Sequence, residues 1–166
     1  MASKKGVAIT AIVLAAITGG SFLLWFVPVE NQTTFVVSDY GNYLDGVKNI
    51  HEVLEESIEI DYQNLRNGEI SPEDYNIVTD VTSSQVTAQI SEFVTSKPPE
   101  EWQTSYISYM EAMKKFNEYI GETKVLASMI ENDSSEDEIN QVIQKIEELK
   151  NESQELVKSS DDSRPN

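Results

Sequence analysis

Apolar residues enter this chain first as one unbroken block and then as four stripes with helical spacing. The block runs from Gly6 to Val29, 24 residues without a charge. As a helix it spans about 36 Å, against a hydrocarbon core of about 30 Å, so a single N-terminal transmembrane helix is predicted. Lys4 and Lys5 precede the block and Glu30 follows it. By the positive-inside rule, residues 1–5 are then a cytoplasmic stub and everything beyond residue 29 lies outside the cell membrane. Lys4 and Lys5 anchor the inner interface, Trp25 and Phe26 the outer one, and Pro28 closes the helix. A cleaved signal peptide is the rival reading, with a basic start, an apolar run over Val7–Ile17 and small residues at Thr18–Ser21. Phe22–Phe26 carries the apolar run past that cleavage point and favours an uncleaved signal-anchor. Ala11, Ala15 and Gly19, with Ala16 and Gly20 beside them, have the small-residue spacing that lets membrane helices pack closely, although such residues are common in membrane helices generally.

Residues 30–38 read as an extended linker, because Thr33-Thr34-Phe35-Val36-Val37 is β-branched and aromatic without a helical stripe. Ser38 is the expected N-cap of a first helix, with Asp39 in its first turn. Its stripe runs through Tyr40, Leu44, Val47, His51, Leu54, Ile58, Asp61 and Leu65, and Asn67-Gly68 stops it. Ser71-Pro72-Glu73-Asp74 combines an N-cap, a proline at the first helical position and two acids, so a second helix starts there and ends before Lys97-Pro98-Pro99. Its stripe is less regular, through Tyr75, Val78, Val81, Val86, Ile90 and Phe93. Thr82-Ser84-Val86-Ala88-Ile90 also fits strand alternation.

The third helix, opening at Pro99-Glu100-Glu101, has the clearest stripe: Trp102, Tyr106, Tyr109, Met113, Phe116, Ile120, Thr123, Ala127 and Ile130, with Gly121 as a point of close contact or weak bend. Ser135-x-x-Glu138 is a capping box for a fourth helix carrying Ile139, Val142, Ile146, Leu149, Ser153 and Leu156. Connections of a few residues force successive long helices to turn back on one another. The expectation is an all-α protein: an antiparallel up-down four-helix bundle over residues 39–158 on one membrane anchor, followed by a disordered acidic tail at 159–166.

Charge sharpens this picture. The net charge is −17, and residues 30–166 hold all 29 acids with ten of the twelve bases, a net −19. Such a surface repels phosphate, which argues against nucleic acid as a partner and leaves cations or a basic partner as plausible contacts. The chain has no Cys and one His, so disulfides, thiol nucleophiles, thiolate zinc and multi-histidine metal centres within one chain are excluded.

Candidate chemistry is correspondingly thin. A di-iron bundle needs Glu-x-x-His on two helices, whereas Lys48 stands three residues before His51 and no second histidine follows. His51 with Glu55 one turn on is the remaining metal candidate, set against a core-edge histidine held by a neighbour. Met110, Met113 and Met129 fit core gap-filling better than soft copper ligation, and the aromatic row of the third helix fits a core better than a cofactor box. Asp133–Glu138 lacks the central glycine of a calcium loop and suits the first turn of the fourth helix. Hydrolase, phosphate-loop and dinucleotide motifs do not occur. No catalytic residue and no cofactor is assigned. The three sequons at Asn31, Asn132 and Asn151 are about what chance supplies.

The stretch Met1-Ala2-Ser3-Lys4-Lys5-Gly6-Val7-Ala8-Ile9-Thr10, continuing into Thr18-Gly19-Gly20-Ser21-Phe22-Leu23-Leu24-Trp25-Phe26-Val27-Pro28, resembles the start of small single-pass membrane proteins of ammonia-oxidising archaea. The resemblance implies a setting and no site. In that setting the prominent membrane enzyme is a copper-dependent ammonia monooxygenase with small accessory subunits. The leading expectation is therefore a non-enzymatic, membrane-anchored exterior domain serving as an accessory or scaffolding subunit among other membrane protein subunits. The alternatives are a ligand-sensing bundle acting through a partner and an acidic surface that concentrates cations.

Overall fold

The computed structural model describes residues 37–165 of the 166. The predicted transmembrane helix, its packing residues Ala11, Ala15, Ala16, Gly19 and Gly20, and the interface anchors Lys4, Lys5, Trp25 and Phe26 lie outside the described residues. Among the described residues no helix is long and apolar enough to cross a membrane.

The described chain forms four helices and no strand: α1 (Tyr40–Arg66), α2 (Pro72–Thr95), α3 (Glu100–Glu131) and α4 (Glu136–Asp162). They pack as a four-helix bundle. Contacts between facing residues fix the register: Tyr43 stacks near Phe93, Ser83 Oγ donates to Asn117 Oδ1 at 2.7 Å, and Ser105 meets Ser160 at 3.2 Å. Each helix therefore runs back along the one before it.

Local chemistry explains the ends. Ser71 caps α2 by accepting from the Asp74 amide at 3.1 Å, with Pro72 at the first position. Ser135 and Glu138 close the capping box of α4 reciprocally. Gly68, at φ +69°, makes the left-handed turn after α1 that glycine tolerates without steric penalty. Two boundaries differ from expectation. The N-cap of α1 is Asp39, whose carboxylate accepts from the Asn42 amide at 2.9 Å; Asp and Ser cap comparably, and the carboxylate adds its charge to the dipole interaction. At the other end, α4 does not fray at Ser159 but continues to Asp162. Ser160 is fully buried against Ser105, Lys48 pairs with Asp161 at 2.6 Å, and Arg164 pairs with Asp45 at 2.6 Å. Tertiary partners thus hold a segment whose composition alone reads as disordered.

The core is built around α3, which touches all three other helices. The predicted stripe of α3 from Tyr106 to Ala127 is buried, and a second row, Ser105, Ala112, Tyr119 and Leu126, is buried beside it. Ser105 and Ala112 on α3 and Ser153 and Ser160 on α4 are small, which lets this pair approach closely enough for Ser153 Oγ to donate to the Ala112 carbonyl at 2.9 Å. Gly121 faces open space inside an unbroken helix. α2 is helical throughout: Thr82 and Val86 are buried while Ser84 and Ala88 are exposed, so strand alternation does not occur. Its buried hydroxyls bond back to their own helix, Thr79 to the Tyr75 carbonyl at 3.0 Å and Thr82 to that of Val78 at 3.1 Å. Val81, placed on the stripe by spacing, is exposed instead. α1 stands off from α4: no Cα of one comes within 8 Å of a Cα of the other.

Candidate functional site

The two metal candidates part company. His51 is buried, with its ring 4.7 Å from that of Phe116 and its Nδ1 2.8 Å from the Tyr109 hydroxyl. Its Nε2 is buried without a hydrogen-bond partner. A neutral imidazole suits one polar neighbour; an imidazolium needs two acceptors, and burial accordingly pushes the His51 pKa down to about 4. Glu55, one turn on, is turned to the surface, where Gln154 Nε2 donates to it at 3.3 Å. Among the described residues no group of three His, Asp or Glu side chains is placed to hold a metal ion. Met113 is fully buried and Met110 packs against the core beside it.

Because α1 and α4 stand apart, a shallow cleft of about 320 Å³ lies between them, lined by Glu52, Glu55, Glu56, Glu59, Lys150 and Gln154. Glu59 is its best-held group. Burial raises its pKa, but hydrogen bonds from Lys150 at 2.8 Å, Gln63 at 2.9 Å and Tyr119 at 3.3 Å outweigh that and leave it below the ordinary carboxylate value. Lys150 supplies only one positive charge to four carboxylates.

Asp61 sits at the far end of α1, buried at 1 % exposure, with neither carboxylate oxygen in a hydrogen bond of normal geometry. Burial raises its pKa, and the Asn64 side chain offsets only part of that. The partner that its place on the apolar stripe calls for is thus not provided among the described residues.

The opposite side of the bundle has another character. Seven large apolar residues are 40–60 % exposed: Val53 and Ile60 on α1, Ile77, Val81 and Val94 on α2, and Ile107 and Val125 on α3; none is on α4. At 100° per residue, Val53 and Ile60 fall on the half of α1 turned to α2, and Ile107 and Val125 on the half of α3 turned to α2. The register set by Ser83–Asn117 and by the Asp80–Lys124 ion pair brings Val125 level with Ile77 and Ile107 level with Val94. Between residues 76 and 96 the only charged side chains are Asp80, paired with Lys124, and Glu92, which is half-buried with its pKa raised by burial. The described residues together carry 28 acids and ten bases. The outer surface of α2 is therefore poor in charge, with Ile77, Val81 and Val94 exposed among Ser, Thr and Ala, on an otherwise strongly acidic body.

Sequence spacing did not single out this face. Ile77, Val81 and Val94 are scattered among Ser, Thr and Ala in a helix with apolar residues on several sides, so only the packing of α1 and α3 reveals which of them remain outside. The available signal was the near-absence of charge over 76–96.

Comparison with protein-family models, with curated proteins and with solved structures returns no match.

Proposed function

We propose that this chain works by binding rather than by catalysis, as a membrane-anchored helical domain outside the cell that serves as an accessory or scaffolding subunit of a membrane protein complex. The observation that carries the reading is the charge-poor outer surface of α2 with its exposed Ile77, Val81 and Val94. Val53, Ile60, Ile77, Val81, Val94, Ile107 and Val125 are exposed on or beside it, and it interrupts a surface that is acidic elsewhere, which suits contact with a partner. The polar groups that the bundle buries point the same way. His51 is engaged by Tyr109 and Ser153 by the Ala112 carbonyl, so they fix the packing of helices and present no reactive atom to a solvent-open pocket. The uncharged block at residues 6–29, with lysines before it and an acid after it, supports the anchor and its orientation. The resemblance of the N-terminal stretch supports a setting beside an ammonia monooxygenase-type complex.

The experiment is purification of the full chain from native membranes in mild detergent, with identification of co-purifying chains. Reproducible membrane partners, lost when Val81 and Ala88 are replaced by acids, are the expected result. A chain that leaves the membrane fraction at high salt without detergent overturns the anchor, and one that binds nothing through this face overturns the binding role.

A second reading has its own observation. The cleft lined by Glu52, Glu55, Glu56 and Glu59 with one lysine makes a local negative field that concentrates cations near a neighbouring protein. Screening predicts that such an effect fades as salt rises, and persistence at high salt removes it.

A further inference from the structure

We infer that the α2–α3 turn rests in the headgroup layer of the membrane that holds the anchor, with Trp102, Pro98 and Pro99 at the lipid boundary and Lys97 and Lys158 against lipid phosphate. The inference rests on the reading above, that residues 6–29 span that membrane.

Topology decides which end of the bundle is close to lipid. The Tyr40 hydroxyl donates to the Lys97 carbonyl at 3.3 Å, and Arg164 pairs with Asp45 at 2.6 Å. The start of α1, the α2–α3 turn and the end of α4 therefore share one end. Seven residues, 30–36, stand between the uncharged block and the first described residue, Val37. Even fully extended, the chain crosses at most about 28 Å from Val29 to Val37. The α1–α2 and α3–α4 turns lie about 40 Å further along the bundle, the length of the 27 residues of α1.

The two ends differ in the way that a membrane interface selects. The far turns, 67–71 and 132–135, carry Asn, Gly, Glu, Ile, Ser and Asp and no aromatic side chain. The near end carries Tyr40, Tyr43 and Trp102, all partly exposed, with Pro98 and Pro99 beside them. Trp and Tyr favour the water–lipid boundary because each joins an apolar ring to a polar tip. Trp102 is also fixed in place: its ring lies 3.4 Å from where a Cβ on Gly41 would stand, and it meets Tyr106 edge-on at 6.1 Å between centroids. A side chain at Gly41 would press on that ring.

Charge agrees. Of the ten described bases, seven pair with carboxylates and Arg66 lies over the Tyr62 ring. Lys97 and Lys158 do neither among the described residues, and both are exposed at or within about one turn of the near end. Lys97 is held at φ +46° in a turn closed by Pro98, so its ammonium projects from a rigid support. Two unpaired cations beside a tryptophan suit phosphate at headgroup depth. Glu100, Glu101 and Asp162 at the same end stay exposed, and their cost in hydrocarbon keeps the contact shallow.

The test uses the full chain in phosphatidylcholine vesicles that contain a rising share of lipid with a nitroxide on its headgroup. Trp25→Phe leaves Trp102 as the one tryptophan, without touching the bundle. Its fluorescence is expected to fall as labelled lipid is added. In a chain with Trp25→Phe, Trp102→Phe and Glu136→Trp, the emitter sits at the far end and is expected to keep its signal. Lys97→Glu with Lys158→Glu is expected to lose part of the Trp102 quenching. A Trp102 signal indifferent to the label, equal quenching at both ends, or quenching that the two lysine substitutions leave unchanged overturns the inference. The first reading uses the unsubstituted bundle, so it decides even should a variant fail to fold. Flotation of the vesicles after an alkaline carbonate wash reads the anchor separately. A chain that floats with Trp102 unquenched overturns this contact and leaves the anchor standing; a chain stripped by the wash overturns both.

Discussion

His51 gives the sharpest quantitative test of the fold, because it is the only histidine and its environment suits a single charge state. The ring lies between Tyr109 and Phe116 with one nitrogen bonded and the other buried and unpartnered. Its pKa falls from 6.5 to about 4 on folding. The unfolded chain therefore takes up the proton first, and the stability that the neutral ring contributes is complete above pH 6.5 and is lost as pH falls toward 4. Between pH 7 and pH 5 the loss is about 2 kcal/mol, worked from those two pKa values by linkage. The assay pairs two measurements on the full chain in nonionic detergent. A magnetic-resonance titration of the lone imidazole reports its pKa directly, and urea unfolding at pH 7 and pH 5 reports the stability change. His51→Phe keeps the ring volume and orphans the Tyr109 hydroxyl, which costs about 1–3 kcal/mol at both pH values. The acids titrate alike in both proteins, so the wild type is expected to lose about 2 kcal/mol more than the variant on acidification. An imidazole that titrates near 6.5, or parallel pH dependences for the two proteins, refutes the argument.

Asp61 works in the other direction. Its folded pKa is raised, so it adds stability as pH falls into the carboxylate range and withdraws it as pH rises; Asp61→Asn is expected to stabilise by about 1–3 kcal/mol at pH 7 and to flatten that part of the pH profile in urea unfolding. Ala112→Leu forces α3 away from α4 and is expected to destabilise by about 1–3 kcal/mol while breaking the Ser153 hydrogen bond, visible as faster amide exchange along α4. Ser135→Ala removes the capping box of α4 and is expected to lower stability by about 0.5–2 kcal/mol in thermal unfolding.

Spacing predicted the core most reliably where one helix buries more than one side. The row from Tyr106 to Ala127 is legible because each step lands on a buried position of α3, the helix that touches all the others. α2 was harder because its core side includes Thr79 and Thr82, whose hydroxyls are satisfied by their own backbone carbonyls and so leave no polar signal at the surface. Its outer side includes Ile77 and Val94, which look like core residues until neighbouring helices are in place. Spacing put Asp61 on the apolar stripe but gave no indication that the fold would bury it without a partner. The His51–Glu55 pair shows the converse limit: one turn apart in sequence, they differ in burial because His51 lies against Tyr109 and Phe116 while Glu55 lies over the edge of the cleft.

The last turn of α4 acquires a mechanical meaning from where it lands. Tension on the chain from the N-terminal side enters the bundle at Val37 and reaches α1 first. At that end α1 is held by the Tyr106 hydroxyl on the Tyr40 carbonyl, by Lys48 on Asp161 and by Arg164 on Asp45. The Tyr40 hydroxyl also donates to the Lys97 carbonyl, and the Tyr43 ring stacks near Phe93. The last turn of α4 and Arg164 just beyond it thus add two ion pairs to the end of α1 nearest the N-terminal side, and removing residues 161–164 takes away the contacts by which α4 braces that end.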